Sequence, residues 1–277
     1  MPRVLIPVYN ALGTFTNIIQ MNLHVLGCAG GIGGRERLTT CLRVDDDIVL
    51  DAGTGICSLG IDELVMIDHV FLTHFHLDHV AGLALLIDAV VVQGKRTKPV
   101  IVHSSAPVID SLKKHLFNWE LWPDFSVIPD PADPALQWSP LDPGVPIDLG
   151  GRIVTAHPVN HTNGSVSYFV HHGGPGFLFT GDMASTPALW KTFANEPQLA
   201  KVIVDCSFPN ADAAIADRSM HFCPSSLVAD VRWMPASTEF LIYHLKPGQE
   251  DQIMQELHAA SGSHRFTALK CGDRFVF

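Results

Sequence analysis

Basic residues are scarce: 18 Lys and Arg stand against 28 Asp and Glu, a net charge of -10 at pH 7. That balance opposes broad contact with a nucleic-acid backbone or an anionic membrane, and leaves room for an anionic small molecule only at a locally cationic site. No apolar run reaches membrane-spanning length; the longest, residues 80–92, is interrupted by Asp88 and has the length of a buried core helix. Residues 1–20 carry one basic residue and no continuous apolar stretch, with Asn10 and Asn17 among them, so no secretory signal is read and a cytoplasmic protein is expected. The six cysteines, Cys28, Cys41, Cys57, Cys206, Cys223 and Cys271, include no CxxC pair and no regular spacing. This favours separate reduced thiols over a disulfide frame or a zinc ribbon. Short repeats and low-complexity tracts are lacking too.

What is present is the composition of a globular chain with a generous core, 277 residues of which 47% are hydrophobic and 17% charged. Short β-branched runs at residues 24–26, 40–44, 48–50, 69–72, 100–103, 153–156, 166–170, 177–179, 202–204 and 240–243 predict strands. Helical patterns fall at 80–92, 108–117, 186–193, 225–233 and 249–260, with Pro187, Pro224 and Pro247 at or just before helix starts. Two strand-rich halves, each followed by helices, imply two sheets between helical layers. Residues 129–146 hold six prolines and are expected to be a long loop or crossover. The first convincing strand begins at Met21, so residues 1–20 are expected to be an N-terminal arm, packing on a partner, or a mis-assigned start.

The chemistry concentrates in Thr73-His74-Phe75-His76-Leu77-Asp78-His79, which places three histidines and one aspartate in six consecutive positions after an apolar strand. Side chains alternate along a strand, so His74 and His76 share a side, and Asp78 and His79 follow where the chain turns into a helix. That arrangement can serve two adjacent metals. The remaining ligands must come from other strand ends, where His161, Asp182 and His244 are candidates and His157 competes with His161.

HxHxDH followed by an isolated His, a GD after a strand and a final His resembles the metallo-β-lactamase superfamily. The resemblance implies an α/β fold, a four-layer αββα sandwich, as a single catalytic domain over residues 21–277. It also implies that His74, His76 and His161 hold one metal, that Asp78, His79 and His244 hold the other, and that Asp182 bridges both. Asp51, in the LDxG-like turn Leu50-Asp51-Ala52-Gly53, would brace the ligands from behind. LGCAGG at 26–31, FNWELWPDF at 117–125, DCSFPN at 205–210, HFCP at 221–224 and HLKP at 244–247 narrow the resemblance to class II 3′,5′-cyclic-nucleotide phosphodiesterases. Met183, Asp205 and Met220 depart from the residues usual there, and none of them is a candidate ligand. The related families form homodimers, so a homodimer is expected.

A cyclic phosphodiester repels hydroxide, and two divalent cations both neutralise its charge and lower the pKa of a bound water to about 7. Zinc is the first choice, with manganese or iron as alternatives, because mixed imidazole and carboxylate ligands suit all three. Asp78, His221 and Asp205 are the expected catalytic residues: His221 gives the O3′ leaving group a proton and contacts phosphate, and Asp205 orients His221 or a ligand. Trp119 and Trp122 are expected to stack on the nucleobase. Gly30 to Gly34 lack the ending of a P-loop and are read as a turn near the site. The rival readings are a ribonuclease Z-like endonuclease, a thioester or lactone hydrolase on the same fold, and a regulatory metal-binding module that has lost catalysis. The expected partner is a small cyclic nucleotide, with no stable nucleic-acid partner and no membrane.

Overall fold

Period-two alternation in the predicted strands sorts their side chains onto two faces, and the result is a pair of sheets each covered on its outer face by helices. The structure is a computed structural model and describes residues 5–9, 15–92 and 98–277. Among the described residues one seven-stranded sheet runs, in spatial order, Leu136–Pro140, Val100–Ser104, His69–Phe71, Ile48–Leu50, Cys41–Val44, Asn22–Gly27 and Arg274–Val276. The other runs Pro146–Leu149, Arg152–Pro158, Val166–His171, Gly176–Phe179, Leu199–Asp205, Glu239–Tyr243 and Arg265–Ala268.

Three buried clusters fill the three gaps of the sandwich. Leu23, Val25, Leu42 and Val44 of the first sheet meet Val154, Tyr168, Phe177, Phe179, Ile203 and Tyr243 of the second. The alternate residues Leu178, Val202, Val204, Phe240 and Ile242 face the other way, against Trp190, Leu227, Ile253 and Leu257 of the helices Pro187–Phe193, Pro224–Val231 and Glu250–Ala260. On the far side Val70 and Val102 pack against the helices Leu83–Val92 and Ala106–His115 through Ile87, Val90, Val108 and Leu112. Strands buried on both faces read as continuous apolar runs, which is why the central parallel strands were so plain in the sequence.

Two features differ from expectation, and a third adds detail to it. The 129–146 stretch is not a bare crossover: Leu136–Pro140 pairs in parallel with Val100–Ser104 and Pro146–Leu149 opens the second sheet. Its prolines are tolerated because both strands lie at sheet edges, where a missing N–H faces no neighbour. The helix expected over 80–92 is two pieces, Leu77–Val80 and Leu83–Val92, joined through Gly82, where an added Cβ would lie 2.2 Å from Ile56 Cγ2. Residues 1–20 contain a hairpin, Leu5–Tyr9 with Phe15–Ile19; the rest of that arm, except Gln20, lies outside the described residues. No helix among the described residues is long and apolar enough to cross a membrane.

Trp190 is wholly buried and its indole N–H donates to Asp230 at 2.5 Å. Trp190→Ala is expected to cost about 3–5 kcal/mol of unfolding free energy in a urea titration; a change under about 1 kcal/mol would refute this view of the outer helical layer.

Candidate metal centre

Parallel strands end together, and this fold uses that alignment. Ile48–Leu50, His69–Phe71 and Val100–Ser104 pair in parallel, as do Gly176–Phe179, Leu199–Asp205 and Glu239–Tyr243. Asp51, the His74 turn, Asp182, Asp205 and His244 therefore sit at the carboxyl ends of their strands on one edge. The loop bearing His161 joins the same edge, since the Val166 N–H donates to the Thr73 carbonyl at 3.0 Å.

At that edge the Asp182 Oδ2 atom is surrounded by imidazole nitrogens. His244 Nε2 lies 3.2 Å away, His79 Nε2 3.3 Å, His74 Nε2 3.6 Å and His161 Nε2 4.0 Å. His161 Nε2 is 3.2 Å from His76 Nδ1, and His244 Nε2 is 3.0 Å from Asp78 Oδ2. Two four-donor pockets result, His74, His76, His161 with Asp182 and Asp78, His79, His244 with Asp182, the ligand atoms of each lying within 4.8 Å of one another.

Two buried carboxylates orient the rings from behind, each by the same device. Asp51 accepts the Thr73 N–H at 2.7 Å and the Thr73 hydroxyl at 2.8 Å, and it contacts His79 Nδ1 directly at 2.7 Å. The Thr73 hydroxyl, having donated to Asp51, is free to accept from His74 Nδ1 at 3.0 Å. Asp205 contacts His221 Nδ1 at 2.7 Å and accepts the Ser207 hydroxyl at 2.7 Å, and Ser207 in turn meets His244 Nδ1 at 2.7 Å. The Met220 carbonyl accepts from His161 Nδ1 at 3.0 Å. Occupying Nδ1 as a donor leaves the Nε2 lone pair of each ring facing the cluster, as ligation requires.

The donor set fits divalent cations. His74 Nε2 and Asp182 Oδ2 are buried and make no hydrogen bond of good geometry, although each faces several polar atoms. Burial alone would neutralise Asp182, but the His244 and His79 imidazoles hold its carboxyl well below the usual range. Burial also opposes an imidazolium at His79, yet the Asp182 and Asp51 carboxylates outweigh it and raise that group well above its ordinary value. These carboxylates favour a proton on His79, whereas burial lowers His74, His76 and His161.

All seven sequence-predicted ligands, with Asp51, Asp205 and His221, meet at this edge. The His221 ring stacks on His244 at 5.0 Å and lies 5.0 Å from His161. His157 stays apart, against Phe193 at 5.0 Å. The Gly30 turn lies against the site: an added Cβ there would fall 2.2 Å from the His244 carbonyl oxygen.

Trp119 and Trp122 do not join this cluster. The helix Ala106–His115 starts at the ligand edge, where Ser105 Oγ donates to the Gly164 carbonyl at 2.6 Å, and runs about 15 Å back along the sheet. The 117–125 segment consequently lies at the opposite end, where the Phe125 carbonyl accepts the Leu136 N–H at 3.1 Å and Leu136 pairs with Val100. Trp122 packs there on the outer core and Trp119 is exposed. Thr73, Ser207 and Tyr243, whose hydroxyl donates to Asp182 Oδ1 at 2.9 Å, were not singled out in the sequence. Adjacency to a ligand or to Asp205 was the available signal.

The purified chain is expected to bind about two divalent ions, read by elemental analysis. Because protons compete at the raised His79, metal should be released as pH falls and regained on neutralisation. Asp51→Asn is expected to weaken metal binding roughly 10–100-fold; an unchanged affinity would remove Asp51 from its bracing role.

Residues 47–258 match the family model described as Beta-lactamase superfamily domain. A Yersinia pestis protein named "Probable 3′,5′-cyclic-nucleotide phosphodiesterase" is 24% identical over 69% of this chain, which spans only 61% of that protein. An Aliivibrio fischeri 3′,5′-cyclic-nucleotide phosphodiesterase is 26% identical over 74% of this chain and 73% of its own length. A Bradyrhizobium ribonuclease Z is 30% identical over 54% and 44%. Among solved structures, the metallo-β-lactamase fold protein YhfI from Bacillus subtilis superposes with a TM-score of 0.74 at 18% identity, covering 93% of this chain and 99% of its own. A family match of that extent, on a fold shared with the Bacillus protein, makes this chain a member of the β-lactamase superfamily with the metallo-β-lactamase architecture.

Proposed function

We propose that this chain hydrolyses 3′,5′-cyclic nucleotides, cAMP, cGMP or both, to 5′-monophosphates in a metal-dependent reaction. The observation that carries the reading is the position of His221: an Asp205-bound imidazole stacked on His244, beside two adjoining four-donor pockets. The names of the Yersinia and Aliivibrio relatives support the substrate class.

His74, His76, His161 and Asp182 would hold one cation, and Asp78, His79, His244 and Asp182 the other. When bound, two divalent ions, zinc first and manganese or iron as alternatives, supply charge neutralisation and an activated water. Asp78 and Asp182 offset only part of that charge, so an acidic protein still presents a cationic pocket to a phosphodiester. Asp205 keeps His221 in one orientation and, against the opposing effect of burial, raises its affinity for a proton. The protonated ring is suited to contact a phosphate oxygen and to give a proton to the departing O3′. Asp78 holds His244 in place and its carboxyl is kept ionised: burial pushes the group up, but the His244 hydrogen bond outweighs it. The reading extends to a cytoplasmic homodimer whose partner is the small cyclic nucleotide, with no stable nucleic-acid or membrane partner.

The test is incubation of metal-analysed protein with cAMP, cGMP, bis(p-nitrophenyl) phosphate and a precursor tRNA. Conversion of a cyclic nucleotide to its 5′-monophosphate is expected. Cleavage of the tRNA without cyclic-nucleotide turnover would move the assignment to a ribonuclease Z-like endonuclease, a reading that the Bradyrhizobium relative supports. His221→Ala is expected to lower turnover by about 10²–10⁴ with metal content retained, and unchanged turnover would exclude His221 as the donor. His79→Ala should abolish turnover in a folded chain; full activity with full metal content would overturn the two-metal assignment.

A further inference from the structure

Two nucleophilic side chains that the proposed reaction does not use lie just behind the metal centre. The strands Asn22–Gly27 and Arg274–Val276 pair antiparallel, and the ladder continues past them: the Val25 N–H donates to the Asp273 carbonyl at 2.9 Å and the Gly272 N–H to the Val25 carbonyl at 2.8 Å. This register brings Cys271 beside Cys28. The Cys28 thiol donates to the Leu269 carbonyl at 3.3 Å. The Leu38 carbonyl accepts the Cys28 backbone N–H at 3.0 Å and lies 4.0 Å from the Cys271 thiol. The two residues thus share the Leu38 carbonyl as a neighbour, and each thiol influences the ionisation of the other.

The pair is reachable and it is connected. Both cysteines line a cavity of about 330 Å³ bordered by Glu36, Arg37, Glu250 and Lys270. Cys28 is buried and Cys271 partly exposed, the order expected of a resolving and an attacking thiol. On its other side the Cys28 carbonyl accepts the His244 backbone N–H at 2.8 Å, and Ala29 bridges to Leu245. Any shift of Cys28 therefore acts on the backbone that positions a cluster histidine.

We propose that Cys28 and Cys271 are a redox-responsive dithiol, a modification site for hydrogen peroxide, whose oxidation to a disulfide changes how firmly His244 holds its metal. The Cys271 thiolate attacks one peroxide oxygen, the O–O bond breaks, and sulfenic acid forms with release of hydroxide. The Cys28 sulfur then displaces that hydroxyl as water, giving the disulfide. Two thiols and one peroxide become one disulfide and two waters. The neighbouring Cys28 thiol draws Cys271 down to about 6, so thiolate is available at neutral pH.

The disulfide can be read without a metal; its coupling to His244 rests on the metal centre described above. The test uses metal-loaded full-length protein in a Cys57→Ser background, which removes the exposed thiol. Peroxide treatment is followed by non-reducing peptide mapping and by the rate of metal release to a chromogenic chelator. A cross-link between the Cys28 and Cys271 peptides, reversed by dithiothreitol, is expected together with a roughly tenfold change in metal release, the scale of disturbing a ligand's support. Cys271→Ser should abolish both responses and leave reduced-state release as it was. Cys28 and Cys271 remaining thiols, or Cys271 reaching sulfinic acid without a cross-link, would overturn the dithiol. A complete cross-link with unaltered release would overturn its coupling to the metal.

Discussion

One oxygen atom, Asp182 Oδ2, organises this molecule. It is buried, it has no well-formed hydrogen bond, and four imidazole nitrogens stand within 4.0 Å of it. Removing an anion and several ring lone pairs from water costs several kcal/mol unless strong partners compensate. A proton at His79 offers partial compensation, and divalent cations would offer a fuller one. The stability of this edge is thus tied to what it binds.

The rest of the fold holds that unfavourable assembly still. Asp51 and Asp205, from different sheets, each clamp one ring directly and a second through a hydroxyl, Thr73 in one case and Ser207 in the other. Asp51, Met220 and His244 adopt positive φ values of 56°, 58° and 63°. Such backbone is costly for non-glycine residues and persists where the surroundings over-determine it. Met220 keeps a left-handed backbone that a glycine would take freely. With methionine there, the carbonyl still reaches His161.

Much of this was legible in the sequence, for identifiable reasons. Fully buried parallel strands such as Val100–Ser104 and Glu239–Tyr243 are uninterrupted apolar runs, and a ligand at a strand end is flagged by the run before it. His74, His76, Asp78 and His79 advertise themselves by density. The edge strands Leu136–Pro140 and Pro146–Leu149 did not, because half-exposed strands rich in proline look like loops. The place of the tryptophans was not legible, because an aromatic motif carries no information about which end of a sheet its helix returns to. Ser207 and Thr73 were missed because a hydroxyl relay is defined by both of its neighbours, and one of them is always distant in the chain.

The sequence by itself determined the buried central strands, the main helices and the inventory of donors, since periodicity and local density depend on residues close together along the chain. Only the tertiary structure decided which donors share a pocket, that His161 rather than His157 faces Asp182, that Trp119 and Trp122 lie at the far end, and that Cys28 meets Cys271. Such placements depend on contacts between residues as many as 241 positions apart, as between Cys28 and Leu269, and they are fixed by strand register and by the direction in which each helix runs back, neither of which any local stretch encodes.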